Sequence, residues 1–187
     1  MRWLLTIVLM TGINADSQVW RIDEQQLLTP ITSMSGEQRL AIMRAIEPQL
    51  RSEMKTNWIE KAEIGAVKRS IRTQRITTAT GSLLLMQGGW GTAECSGTGN
   101  CAVWVLDNHY RLLLGNASGT RIEVLKAAHH DQPDILIAAH ESANEESRVT
   151  YVFNGVKYRP AVCMEVSFSD LQGNPYKRPH AEPSQCH

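Results

Sequence analysis

From Arg75 onward the chain consists of short apolar or β-branched runs, and this pattern constrains the fold more than any other feature. Gly, Asn, Asp and Ser separate most of the runs, which recur at intervals of roughly ten residues. This spacing predicts an antiparallel β meander that forms a sandwich, a partial barrel or a partial propeller-like sheet. The runs are ITTAT, SLLLMQ, AVWVL, YRLLL, RIEVLKA, DILIAA, RVTYVF and VKYRPAVCMEVSF.

The segment YVFNGVKY carries the strongest hairpin signal. Asn154-Gly155 fits a two-residue type I′ turn, because both central residues of that turn need positive φ. Tyr151 and Phe153 before the turn and Tyr158 after it can pair across the two strands. A second tight reversal is expected at LDNHY.

The region before these strands has a helical pattern. Ser35 and Gln38 stand three residues apart, as in a capping box, and apolar residues follow at helical spacing. Because proline removes a backbone donor, Pro48 predicts a break or kink near Glu47. A second helical stretch over residues 49–62 then follows. Its apolar side would carry Leu50, Met54, Trp58 and Ile59.

We therefore predict an α+β protein that is mainly β, with an N-terminal helical region followed by an antiparallel β meander. The boundaries are a helical region over residues 16–74, a β domain over 75–170 and a loop tail over 171–187. The tail is predicted as loop because LQGNPYKRPHAEPSQCH is rich in proline and polar residues.

Residues 1–15 have the layout of a secretory signal peptide. Arg2 precedes an apolar run from Trp3 to Met10, and Ala15 precedes polar residues. The run is too short to span a bilayer as a stable helix. We therefore exclude this segment from the fold and expect a periplasmic or secreted protein without a stable membrane anchor after signal removal.

Length fits one domain, or one domain with a helical appendage, and the composition of 42% apolar and 20% charged residues is ordinary for a soluble globular protein. The 19 basic and 19 acidic side chains give a formal net charge of zero. The chain therefore has no net positive charge that would attract nucleic acid, and we predict no nucleic-acid partner.

The four cysteines are expected to form disulfide bonds, because an even number in an exported chain favours them. Zinc-ligand and C-x-x-C spacings are both missing. The number alone leaves three pairings open. The five residues between Cys95 and Cys101 let their Cα atoms reach the ~4.4–6.8 Å that a disulfide requires. We therefore predict that bond, together with a second one between Cys163 and Cys186.

The polar stretch from His129 to Glu146 is the most reactive-looking part of the chain. Ser142, His140 and Asp134 have the residue types of a catalytic triad, but the sequence gives no sign that they lie close together. The zinc-binding motif H-E-x-x-H is not matched, because Asn144 occupies the place of the second histidine. A hairpin loop with solvated Glu145 and Glu146 explains the stretch more simply. We predict no catalytic residue, no metal ligand and no cofactor here. A surface metal site that uses His130, Asp134 or His140 is a minority alternative.

The candidate binding residues are Trp90, His140, Ser142 and Glu145. Trp90 stands between glycines in the loop before the first cysteine, which favours an exposed aromatic side chain there.

Over residues 82–163 the chain resembles a family of uncharacterised small exported bacterial proteins. The recurring pieces of that family are C-G-x-x-G-N-C-x-x-W, H-x-S-A-x-E and Y-x-F-[ND]-G-x-x-Y, and Ser96 stands where glycine is commoner. The hairpin is also similar to single blades of FG-GAP-type propellers, although their acidic calcium loops are missing here. The resemblance implies an exported β protein and carries no activity. The matching residues are Cys95, Gly99, Asn100, Cys101, Trp104, His140, Ser142, Ala143, Glu145, Asn154, Gly155 and Tyr158.

The sequence thus favours an exported, non-enzymatic protein-binding or inhibitor-like module whose partner is another envelope or extracellular protein. The alternative is a hydrolase or metal-dependent enzyme that uses the polar stretch from His129 to Glu146.

We predict cleavage of the signal segment after Ala15. N-terminal sequencing of the protein from its native host should read Asp-Ser-Gln. Recovery of the chain with Met1 intact from a cytoplasmic fraction would contradict both this prediction and the compartment on which the disulfides depend.

Overall fold

The computed structural model describes residues 18–22, 29–55, 64–89, 95–170 and 172–186. These ranges form two antiparallel sheets and two helices, which confirms the α+β, mainly β prediction. The predictions for residues 1–15, Trp58, Ile59 and Trp90 fall outside the described residues. The strands are β1 (Gln18–Ile22), β2 (Thr29–Pro30), β3 (Arg72–Thr78), β4 (Gly81–Gln87), β5 (Cys101–Leu106), β6 (Leu112–Gly119), β7 (Arg121–His129), β8 (Gln132–Ser142), β9 (Glu145–Phe153), β10 (Tyr158–Ser169) and β11 (Pro175–Pro183), and the helices are α1 (Gly36–Lys55) and α2 (Ile64–Ser70).

From β3 onward, consecutive strands within each sheet pair as antiparallel neighbours, whereas both helices lie between β2 and β3 in the chain. One sheet has five strands in the order β2-β3-β4-β5-β6, and the other has six in the order β1-β7-β8-β9-β10-β11. Within the described chain, only β1 leaves this sequential order, because it pairs with β7 at the edge of the six-stranded sheet. The expected meander is therefore confirmed, and it is divided between two packed sheets.

The molecule has three layers with the five-stranded sheet in the middle. Leu83 and Leu85 of β4 pack toward the six-stranded sheet, whereas Leu84 and Met86 pack toward the helices. The same alternation occurs in β5. Because both faces of these two strands are covered, SLLLMQ and AVWVL are continuous apolar runs instead of alternating ones.

Helix α1 begins as the sequence predicts and continues further than expected. Ser35 and Gln38 form the capping box, with backbone-to-side-chain hydrogen bonds of 3.1 and 3.2 Å. Of the predicted break or kink near Glu47, the break is wrong, since α1 runs through Pro48 to Lys55. Pro48 and Arg44 both lie on the exposed side, where water can hydrate the Arg44 carbonyl that lacks its donor.

Much of the C-terminal segment is a strand, so the prediction of a loop tail over 171–187 is wrong for Pro175–Pro183. β11 pairs with β10, and the Cys163–Cys186 disulfide joins the end of this segment to β10 with a Cα–Cα distance of 5.4 Å. All nine residues of β11 are exposed, which explains its polar composition. Three of them are prolines, and these withhold backbone donors from further pairing at the sheet edge. The predicted helical region over 16–74 is also too broad, because it contains β1, β2 and the start of β3.

The hairpin between β9 and β10 is present, but its turn differs from the predicted type I′ turn. Four residues connect the strands, and only Gly155 has positive φ. The Asn154 carboxamide accepts hydrogen bonds from the Val156 and Lys157 amides, so the side chain closes the loop. The aromatic pair is confirmed, since the Phe153 and Tyr158 rings lie 5.4 Å apart across the strands.

The two sheets join at a sharp corner after Gly119. Only Thr120 separates β6 from β7, and its amide donates to the Ala138 carbonyl at 2.9 Å. A Cβ atom on Gly119 would lie 2.5 Å from that carbonyl oxygen and 2.6 Å from Ile137 Cγ2. The corner therefore needs a residue without a side chain.

We predict that Gly119→Ala destabilises the fold by about 1–3 kcal/mol, the usual cost of overpacking a core. Gly97→Ala is the matched control, because nothing lies within 4 Å of a Cβ atom at Gly97. Urea unfolding with the disulfides intact measures both. Equal midpoints for the two variants would contradict the argument for the corner.

Candidate functional site

Both predicted disulfides are present. The Cys95–Cys101 bond closes a small loop before β5, which is called the stapled loop below. The two cysteines face each other in an isolated antiparallel bridge, with a Cα–Cα distance of 3.9 Å. This is shorter than the ~4.4 Å lower end expected for a disulfide and than the ~4.5 Å usual for directly opposed strand residues. The Ser96 amide donates to the Asn100 carbonyl at 2.8 Å, and Gly99 supplies positive φ at the reversal.

Asn100 fastens this loop to the six-stranded sheet. Its carboxamide nitrogen donates to the His140 carbonyl at 2.8 Å, and its carboxamide oxygen accepts from the His140 amide at 2.8 Å. The side chain thus pairs with the backbone of β8 as another strand would. This contact joins two segments that are 40 residues apart in the chain.

The turn between β8 and β9 lies beside this contact and is also ordered by side chains. Ser142 Oγ donates to Glu145 at 3.2 Å and accepts from the Asn144 amide at 3.2 Å. The Asn144 carbonyl accepts from the Phe168 amide at the end of β10. Three of the predicted binding residues, His140, Ser142 and Glu145, are therefore close together, and two of them define the shape of the turn.

A groove of about 460 Å³ opens next to this turn, across β9 and β10. Its apolar part includes Val149, together with Cys163 of the second disulfide. Its acidic part includes Glu145 and Glu165. The stapled loop, the turn and the groove together are called the loop-end surface below; its residues are Cys95–Cys101, His140–Glu145, Ser147, Val149, Cys163, Glu165 and Ser167.

Glu146 is buried in an ion-pair network, so the prediction that it is solvated is wrong. The Arg121 guanidinium donates to both carboxylate oxygens of Glu146, at 2.9 and 3.0 Å. Arg148 bonds to the same carboxylate, and Glu123 lies 2.9 Å from Arg121. Two cations compensate the charge of Glu146, which is needed because only 3% of its side chain is exposed.

Most of the other polar residues of the stretch lie at the opposite end of β8. His129 and Asp134 are hydrogen-bonded at 2.7 Å. Asp134 and Ser142 are eight residues apart on one extended strand, which separates them by roughly 25 Å. Ser142, His140 and Asp134 thus do not converge, and no hydrogen bond joins His140 to Ser142 among the described residues.

Tyr158 and Asp107, at this opposite end, have shifted pKa values. Burial and the neighbouring Asp134 charge raise the pKa of Tyr158, whose hydroxyl donates to the Pro133 carbonyl at 2.9 Å. Burial by itself would raise the pKa of Asp107, but hydrogen bonds from the Arg111 and His109 amides and from the Arg111 side chain outweigh it and lower the pKa. Both groups stabilise turns and strands there.

In the described part of the chain, no three His, Cys, Asp or Glu side chains are grouped in a way that would hold a metal ion. The described residues also include no helix both long and apolar enough to cross a bilayer.

Sequence reasoning missed the role of Asn100, the Arg121–Glu146 pair and the corner at Gly119. Asn100 was visible only as a member of a resembling motif, because nothing local indicates that its partner is His140. Arg121 and Glu146 are likewise 25 residues apart. Such contacts depend on strand register, which a single sequence does not reveal.

Comparisons of the chain with protein-family models, with curated proteins and with solved structures found no match.

We predict that Asn100→Ala loosens the stapled loop and costs about 1–2 kcal/mol of stability, because two hydrogen bonds to β8 are lost. Hydrogen exchange should show faster exchange of the His140 amide. Asn100→Asp keeps the oxygen that accepts from the His140 amide but loses the donor to the His140 carbonyl. It should therefore speed up exchange of the His140 amide less than Asn100→Ala does. Unchanged protection of His140 in Asn100→Ala would contradict the role assigned to Asn100.

Proposed function

We propose that the protein is an exported, non-enzymatic binding module that recognises another envelope or extracellular protein through the loop-end surface. The two disulfides support a location outside the cytoplasm, since such bonds persist in oxidising compartments. The signal-like segment at residues 1–15 supports the same location.

The observation that carries the proposal is the double hydrogen bond between Asn100 and His140. It joins a disulfide-closed loop of one sheet to a hairpin of the other, so that loops from both sheets form one fixed surface. Loops held by a rigid β scaffold are a common basis of protein recognition. Fixing them before binding lowers the entropic cost of association.

The arrangement of polar residues supports binding rather than catalysis. Ser142, the nucleophile of the alternative hypothesis, is engaged by Glu145 and Asn144 in the turn. Asp134, the acid of that hypothesis, is bonded to His129 at the far end of β8. No observation on the described residues favours the hydrolase alternative.

An affinity experiment with three forms of the mature protein tests the proposal. Wild type, Asn100→Ala and Asn108→Ala are immobilised and exposed to the envelope fraction of the producing organism. Asn108 is the matched control, because it is exposed and follows β5 at the end opposite to Asn100. We expect a protein that is retained by wild type and by Asn108→Ala and is about tenfold weaker on Asn100→Ala, which corresponds to about 1.4 kcal/mol.

Circular dichroism and the melting temperature establish that each bait is folded. The proposal is overturned if no protein is retained above the level of an unrelated immobilised protein. It is also overturned if a retained protein binds wild type and folded Asn100→Ala equally.

A further inference from the structure

We infer that the groove of the loop-end surface binds lysine or arginine side chains of an extended basic segment in the partner protein. The inference rests on the proposed function and adds the chemistry of the partner. It follows from where the groove lies in the fold, which charges in it are compensated and which side chains match its two parts.

Alternate lining residues of β9 and β10 lie on the face of the six-stranded sheet that carries the core between the sheets. Val149 pairs with Ile137, which packs in that core, so both side chains lie on the same face of the six-stranded sheet. On β9 this face then carries Ser147 and Glu145, because alternate residues share a face. The β9 side of the groove thus changes from apolar to acidic within five residues.

The neighbouring strand shows the same change. Cys163, Glu165 and Ser167 of β10 pair with Val149, Ser147 and Glu145 in turn. Cys163 is 7% exposed and bonded to Cys186, so the disulfide belongs to the apolar part. Glu165 is exposed and adds a second carboxylate on this face.

The groove has a surplus of negative charge. Among its lining residues, Glu146 is compensated by Arg148 and by the nearby Arg121. Glu141, Glu145 and Glu165 have no ion pair with a cation in the part of the chain that the structure describes. A partner that brings cations to these carboxylates therefore gains favourable charge interactions that the free protein does not make.

Lysine and arginine side chains match both parts of such a groove. Their aliphatic stems pack along apolar surface, here Val149 and the disulfide, while their charged groups stay at the more solvent-exposed acidic end of the groove. The carboxylates come from three different strands, β8, β9 and β10. This spread matches cations arranged along an extended segment better than a single compact ion.

The experiment uses the full mature chain with both disulfides formed and three blocked peptides as probes. The first alternates lysine with glycine, the second replaces lysine by norleucine, and the third replaces it by glutamate. Norleucine keeps an aliphatic stem without the charge, so it separates apolar contact from charge recognition. Isothermal titration calorimetry at low salt gives the affinities, and titrations at rising salt give their screening.

Two double variants test whether the groove is the site. Glu145→Gln with Glu165→Gln removes two groove charges, and Glu37→Gln with Glu47→Gln removes two charges from helix α1. We expect the groove variant to bind the lysine peptide about tenfold more weakly and the helix variant to change its affinity by less than about twofold. The norleucine and glutamate peptides should bind wild type at least about tenfold more weakly than the lysine peptide.

Equal affinity of the lysine and norleucine peptides would overturn the inference, as would failure of the lysine peptide to bind. An equal loss in the two double variants would also overturn it, because overall charge would then explain the binding. A partner retained in the envelope experiment that binds wild type and the groove variant equally overturns the inference and leaves the proposed function standing. Absence of any retained partner overturns the proposed function itself.

Discussion

The burial of the five-stranded sheet on both of its faces is the constraint on which the rest of the structure depends. Trp104 of β5 is fully buried against the helices, so its indole N–H needs an acceptor, and Gln49 of α1 supplies one at 2.9 Å. The same Gln49 oxygen accepts from the Asn116 amide, at the irregular part of β6. One glutamine of α1 thereby bonds both to the sheet and to the point where β6 departs from regular pairing.

The sequence predicted the features that depend on neighbouring residues. The apolar runs, the capping box at Ser35, the reversal after β5 and the Cys95–Cys101 disulfide are of this kind. The Cys163–Cys186 bond was predicted because these two cysteines then remain. The sequence-based prediction failed where the rest of the fold determines the local structure. β11 pairs despite its three prolines because β10 offers an edge. Helix α1 continues through Pro48 because that side of the helix is exposed to water. The type I′ prediction at Asn154 failed because the Asn154 side chain closes a longer loop.

The candidate site was predictable only in part, for the same reason. His140, Ser142 and Glu145 were identified from their polar character, and the Cys95–Cys101 loop was identified from its cysteine spacing. That the loop lies next to these residues depends on the contact between Asn100 and His140. Two other residues form a turn that their residue types do not indicate. His130 and Asp131 both have positive φ and form the two-residue turn between β7 and β8, although glycine is the usual residue at such positions.

Covalent and hydrogen-bonded constraints have different effects at the loop-end surface. On the chain-entropy model, the shorter disulfide contributes about 2 kcal/mol and the longer one about 3.5 kcal/mol, both by restricting the unfolded chain. Neither value sets where a loop lies on the folded protein. The Asn100 contact does so, because it exists only when β5 and β8 are already packed against each other. A surface built in this way is stabilised by the disulfides and positioned by a side chain, so the two contributions can be removed separately.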